Sequence, residues 1–98
     1  MNTVEITIQN GTLEVFHGLI NVQEKYCLIN ESKREFSDEF LDNLIRTIRL
    51  WNNEYGNSTR IDDEEFTVIV NGNEKFHGKG IFPDNYDTFK KLLGELND

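Results

Sequence analysis

Val4, Ile6 and Ile8 alternate with Thr3, Glu5, Thr7 and Gln9, the period of two that marks a strand with one buried face. Asn10-Gly11 follows, a pair suited to the positive φ of a tight hairpin turn. A two-residue loop there sets Ile8 opposite Leu13 and Ile6 opposite Val15. Phe16 then falls on the other face, opposite Glu5. Gly18 marks a bulge or bend, and residues 19–22 extend the second strand beyond it. Tyr26-Cys27-Leu28-Ile29 reads as a third strand, after the turn Gln23-Glu24-Lys25.

The period then changes. Ser37 is a helix cap, Asp38 and Glu39 suit the positive end of the helix dipole, and Phe36 with Leu41 forms a hydrophobic staple. Phe40, Leu41, Leu44, Ile45, Ile48, Trp51 and Tyr55 keep helical spacing along one broad face, with Gly56 as the stop. This predicts one long helix ending near residue 55.

After the polar loop 57–60 and the acidic run Asp62-Asp63-Glu64-Glu65, Phe66, Val68 and Val70 share one face of a strand. Asn71-Gly72 and Phe76-His77-Gly78 then repeat the earlier Asn10-Gly11 and Phe16-His17-Gly18. A three-residue loop is needed here, because it alone sets Phe76 beside Phe66 or Val68. Gly78 and Gly80 leave a smooth strip on the face of Phe76 and Phe82, where a ring or helix can approach closely. Pro83 ends the strand, and Asp84 or Asn85 caps a last helix built on Tyr86, Phe89, Leu92, Leu93 and Leu96, with Lys90-Lys91 on its solvent side.

The order β-β-β-α-β-β-α predicts a single α+β domain over residues 1–98. It has two layers, an antiparallel sheet of four to five strands with two helices on one face. Strand three has no counterpart in the second half and the helices share no evident residues, which favours two convergent hairpins over a true duplication while leaving both open. The different loop parities remove the claim of His17 and His77 to a shared site.

Composition narrows the chemistry. Ten basic against eighteen acidic residues give a net charge of −8, and the basic residues are scattered. Phosphate backbones and anionic membranes are bound by clustered Lys and Arg, so neither direct nucleic-acid binding nor membrane binding is expected. An acidic surface fits a basic protein partner or simple solubility. The N-terminus has no signal-peptide pattern and no stretch is long enough to span a bilayer, so a cytoplasmic protein is expected.

No catalytic set is legible. His17, His77 and the single Cys27 lack the paired spacing of a zinc site, and a Cys in an apolar strand is a poor nucleophile. Gly78-Lys79-Gly80 lacks the frame of a phosphate-binding loop. Asp62 to Glu65 are contiguous where calcium ligands alternate, and no cofactor or metal is expected. Two features suit an interface instead. Trp51 and Tyr55 carry polar tips on large apolar bodies, and Asp62, Asp63, Glu64 and Glu65 can face a basic partner.

Trp51…Tyr55, Asp62-Asp63 before Phe66-Thr67-Val68, and Gly80-Ile81-Phe82-Pro83-Asp84-Asn85-Tyr86…Phe89 together form a pattern. It resembles a signature of short uncharacterised bacterial and phage-related α+β proteins. Glu64 stands where that pattern often has Gly. The resemblance covers residues 51–89 and implies a fold without an assigned activity.

The expected function is therefore a small non-catalytic acidic interaction module binding another protein, with homodimerisation open. The alternatives are an acidic inhibitor of a nucleic-acid enzyme, of a phage or mobile-element anti-defence type, and a small-ligand-binding domain. The inhibitor would mimic a phosphate backbone with Glu31, Glu35, Asp38, Asp42 and the 62–65 run.

Overall fold

The computed structural model describes residues 2–96. Its elements are β1 (Thr3–Asn10), β2 (Leu13–Asn21), β3 (Tyr26–Ile29), β4 (Ser32–Glu35), α1 (Asp38–Arg49), β5 (Glu54–Asn57), β6 (Glu64–Val70), β7 (Glu74–Lys79) and α2 (Tyr86–Leu96). The α+β class holds, but the sheet has seven strands, ordered β4-β3-β2-β1-β6-β7-β5. All neighbours are antiparallel except β5, which runs parallel to β7. The sheet is therefore mixed.

Two strands go beyond the predicted order. β4 reads Ser-Lys-Arg-Glu and has no apolar alternation to betray it. β5 lies where the helix was expected to continue. The helix stops at Arg49, and the Trp51 amide donates to Ile48 O at 2.9 Å, a tightened last turn. Asn53 is then captured by β7: its carbonyl accepts from the His77 amide at 2.9 Å and its side-chain amide donates to Lys75 O at 2.9 Å. Trp51 and Tyr55 consequently do not share a helical face.

One sheet face is dry. Val4, Ile6, Ile8, Phe16, Ile20, Cys27, Ile29, Phe66, Val68, Val70 and Phe76 join Phe40, Leu44 and Ile48 of α1 and Phe89, Leu92, Leu93 and Leu96 of α2 in one core. The opposite face carries Glu5, Thr7, His17, Glu65, Thr67 and His77, all half-buried and polar.

The first hairpin departs from the expected register. Gly11-Thr12 forms the loop, since Asn10 pairs with Leu13, and a bulge then sets Ile8 against Phe16 and Ile6 against Gly18. Val15 is the extra residue. The bulge turns Phe16 into the core and leaves Leu13 and Val15 67% and 50% exposed, where the sequence put Phe16 on the far side. The second hairpin has the expected three-residue loop, with Val70 opposite Glu74 and Phe76 opposite Val68.

These corrections bring the two hairpins into equivalence. Thr7 pairs with Thr67 at the centre of the sheet, His17 pairs with Thr7, and His77 with Thr67. The register thus has a local two-fold at the Thr7–Thr67 pair. It carries Glu5 to Glu65, Phe16 to Phe76, His17 to His77 and Gly18 to Gly78, each 60 positions further along. The histidines share a cross-strand row, but three strand spacings, roughly 14 Å, separate them.

Candidate interaction site

Trp51 is the hub of an aromatic cluster. Its ring meets Phe66, Phe76 and Phe89 edge-on at centroid distances of 5.4, 6.2 and 4.8 Å. The indole Nε1–H donates to Asn85 Oδ1 at 2.6 Å, and Asn85 Nδ2 donates to Thr47 O at 3.1 Å. Asn85 thereby ties α2 to α1 with its side chain, and its carbonyl accepts from the Phe89 amide at 3.1 Å. Trp51 is 7% exposed, so it anchors the core first and offers only an edge to the surface.

That edge opens on a groove of about 580 Å³, walled by Leu50, Trp51, Tyr55, Phe82, Pro83 and Asp84. The tight end of α1 throws Leu50 outward, 81% exposed. Tyr55 is held by core contacts on one side, with its ring 6.2 Å from Phe66, and its hydroxyl accepts from the Asn52 amide at 2.8 Å. Phe82 stacks on Tyr86 at 4.5 Å, within 10° of parallel. Gly78 makes this packing feasible: a Cβ there would lie 2.4 Å from Ile81 O and 2.6 Å from Phe66 Cε1. The smooth strip expected at Gly78 is thus a seat for the Phe66 ring and the chain around Ile81. Gly80 does not join it, because β7 ends at Lys79 and Gly80 turns away with φ +72°.

The acidic run is divided by strand alternation. Asp62 is exposed. Asp63 accepts from Ser58 Oγ at 2.6 Å. Glu64, toward the helices, accepts from the Tyr86 hydroxyl at 2.6 Å and from Lys90 Nζ at 3.0 Å, so Lys90 is drawn to the sheet. Burial, reinforced by the Glu64 carboxylate, pushes the Tyr86 phenol far above its ordinary range. Glu65 points to the other face and meets His77. Of the six candidate residues, Trp51 and Tyr55 line the groove together, while Asp62, Asp63, Glu64 and Glu65 lie elsewhere and mostly serve internal contacts.

His77 sits between two carboxylates. Nε2 lies 2.5 Å from Glu65 Oε2, and Nδ1 lies 2.8 and 3.1 Å from the two oxygens of Glu54. Burial works to lower its pKa, but hydrogen bonds to Glu65 and Glu54 and their charges outweigh it, so the net shift is upward. Glu54 is shifted down, chiefly by its bond to His77 and then by the Gly56 amide. His17 has a looser neighbour, Glu5, at 3.6 Å, with both side chains about 40% exposed.

Among the described residues no three or more His, Cys, Asp or Glu side chains are placed to hold a metal ion. Cys27 is fully buried, and burial raises its thiol pKa against the lowering effect of Arg34. No helix among the described residues is long and apolar enough to cross a membrane. Comparison with known protein families, curated proteins and solved structures finds no match.

Sequence reasoning missed the Glu54–His77–Glu65 cluster and the exposed Leu50. Leu50 had a signal: it breaks the apolar helical face on which Leu44 and Ile48 lie. Glu54 had none, since only the parallel pairing of β5 with β7 brings it to His77.

Proposed function

We propose that the protein is a non-catalytic cytoplasmic interaction module that binds a segment of a partner protein in the Leu50–Tyr55–Phe82 groove. One observation carries this reading: an apolar groove with an almost fully exposed Leu at its lip and the Asp84 carboxylate in its wall. Aromatic walls supply area at little entropic cost, and a single charge orients the occupant. On a chain of net charge −8, the complementary segment pairs an aliphatic or aromatic side chain with a neighbouring Lys or Arg. Apart from Leu50, the residues that line this groove fall within residues 51–89, the stretch that resembles short bacterial and phage-related proteins.

Peptide display selection on the purified protein tests the reading without a known partner. Enriched peptides are expected to combine apolar and basic residues and to lose binding to Leu50→Asp and Asp84→Lys. Enriched peptides that bind both variants as well as the wild type overturn it. Light scattering distinguishes a second copy of the chain as the occupant.

The nucleic-acid-mimic reading retains one supporting observation. Glu31, Glu35, Asp38 and Asp42 are all exposed, Glu31 just before edge strand β4, Glu35 at its end and Asp38 and Asp42 in the first half of α1. Asp38 is already shared with Lys25 at 3.6 Å, and three carboxylates of the 62–65 run are engaged internally, which leaves a short row of charges. An interaction with a basic enzyme that weakens steeply with salt and with charge reversal at Glu35 and Asp42, but ignores Leu50→Asp, favours mimicry over the groove.

A further inference from the structure

We propose that doubly protonated His77 is a latch that fastens edge strand β5 to the sheet, and that loss of its proton releases β5 and the Tyr55 wall of the groove. The latch stands on geometry alone, and only its effect on the groove rests on the reading above.

β5 needs such a fastening. It pairs with β7 only at Glu54–His77 and Asn57–Lys79, with an irregularity between them. Backbone bonds from the His77 amide to Asn53 O and from the Ser58 amide to Lys79 O bracket the strand. Gly56 between them has φ +138°, outside the range of a regular strand, so the ladder is interrupted at its middle.

The His77 ring ties β5 at Glu54, two residues before this interruption. Both of its nitrogens are within hydrogen-bond distance of a carboxylate, on β5 to one side and β6 to the other. A neutral imidazole donates from one nitrogen only. The second nitrogen would then turn a lone pair toward a carboxylate, replacing attraction by repulsion. Only imidazolium satisfies both neighbours.

The surrounding charges set the direction. β5 presents Glu54 and β6 presents Glu65. On β7 itself Lys75 and Lys79 flank the ring, Lys79 opposite Glu65 and Lys75 close enough to act on Glu54. Beyond β6, β1 places uncharged Thr7 and Gln9 nearest, with Glu5 and the β2 residue His17 further off. Two carboxylates therefore face the ring, and the upward shift of His77 agrees with that balance. Because the folded value lies above the ordinary 6.5, the latch is complete below 6.5 and is lost as pH rises through the folded value. Glu54 is shifted below its ordinary 4.5, so its side holds above 4.5 and fails only as pH falls through its own folded value.

Amide and imidazole signals of the free protein, followed by NMR from about pH 5 to about pH 9, test this. The amides of residues 53–58 are expected to move with the His77 midpoint, and His77→Gln to abolish that midpoint. Glu54→Gln, which leaves the core untouched, is expected to lower the His77 midpoint and speed exchange of the Ser58 amide about tenfold. Amides 53–58 that ignore the His77 titration, or follow it unchanged in His77→Gln, overturn the latch. Coupling to the groove is read separately, with the tightest peptide from the display selection. It is expected to bind about fivefold more weakly on the alkaline side, and equally at both pH values to His77→Gln. Constant affinity alongside titrating amides overturns the coupling alone. Absence of any groove peptide overturns the groove reading, while the amides still decide the latch.

Discussion

His17 and His77 occupy equivalent places in one sheet, yet their surroundings do different work. Each follows a buried Phe, precedes a buried Gly, pairs with a central Thr and stands near a Glu on the next strand. The difference comes from the outer neighbour. Beside His17 runs antiparallel β3, and Asn30 at its end ties the backbone, accepting from the His17 amide at 3.0 Å and donating to His17 O at 2.8 Å. Beside His77 runs parallel β5, which brings a second carboxylate to the ring. One pattern builds two similar hairpins. The added strand decides which histidine is clamped.

The equivalence is most severely tested in the core. Phe16→Ala and Phe76→Ala each remove a ring about 5% exposed, and each is expected to cost about 3–5 kcal/mol in urea denaturation. A large inequality would show that the bulge at Val15 leaves Phe16 in a softer place than Phe76.

The glycines sharpen the contrast. A Cβ at Gly78 meets the Ile81 carbonyl at 2.4 Å, whereas one at Gly18 meets ring and methyl atoms of Phe16 and Ile29 at 2.9 and 3.1 Å. Backbone cannot step aside as side chains do. Gly78→Ala is expected to cost about 2–3 kcal/mol and Gly18→Ala about 1 kcal/mol or less, measured the same way.

How much of this was legible follows from where the signals lie. Alternation at Val4, Ile6 and Ile8, the Ser37 cap and the apolar spacing of both helices are local, and they gave the class and most elements. The bulge was hidden because Leu13 and Val15 look like inward residues, and only the fit of Phe16 into the core displaces them. β4 was hidden because edge strands favour charge, which reads as loop. β5 was masked by Tyr55, which fits a helical period as well as a strand. Of the site, Trp51 and Tyr55 were found for their chemistry, although Trp51 proves to be core. The groove needed Phe82, Pro83 and Asp84 brought some 30 residues back to Leu50, and no local pattern carries that.

The carboxylates give the smaller effects. Glu65→Gln is expected to cost about 1 kcal/mol, since its His77 bond is short and half-shielded, and Glu5→Gln less than about 0.5 kcal/mol. Salt up to about 1 M should erase the Glu5 effect first. Equal costs would mean that β5 adds nothing to the second histidine.

Most direct is an NMR titration of the two imidazoles in one sample. For His77 the structure requires both ring N–H groups to be present and the positive charge to persist above pH 6.5, with Glu54→Gln lowering that midpoint and leaving the His17 signals in place. A His77 that is neutral at 6.5, or that is indifferent to Glu54→Gln, would contradict the account.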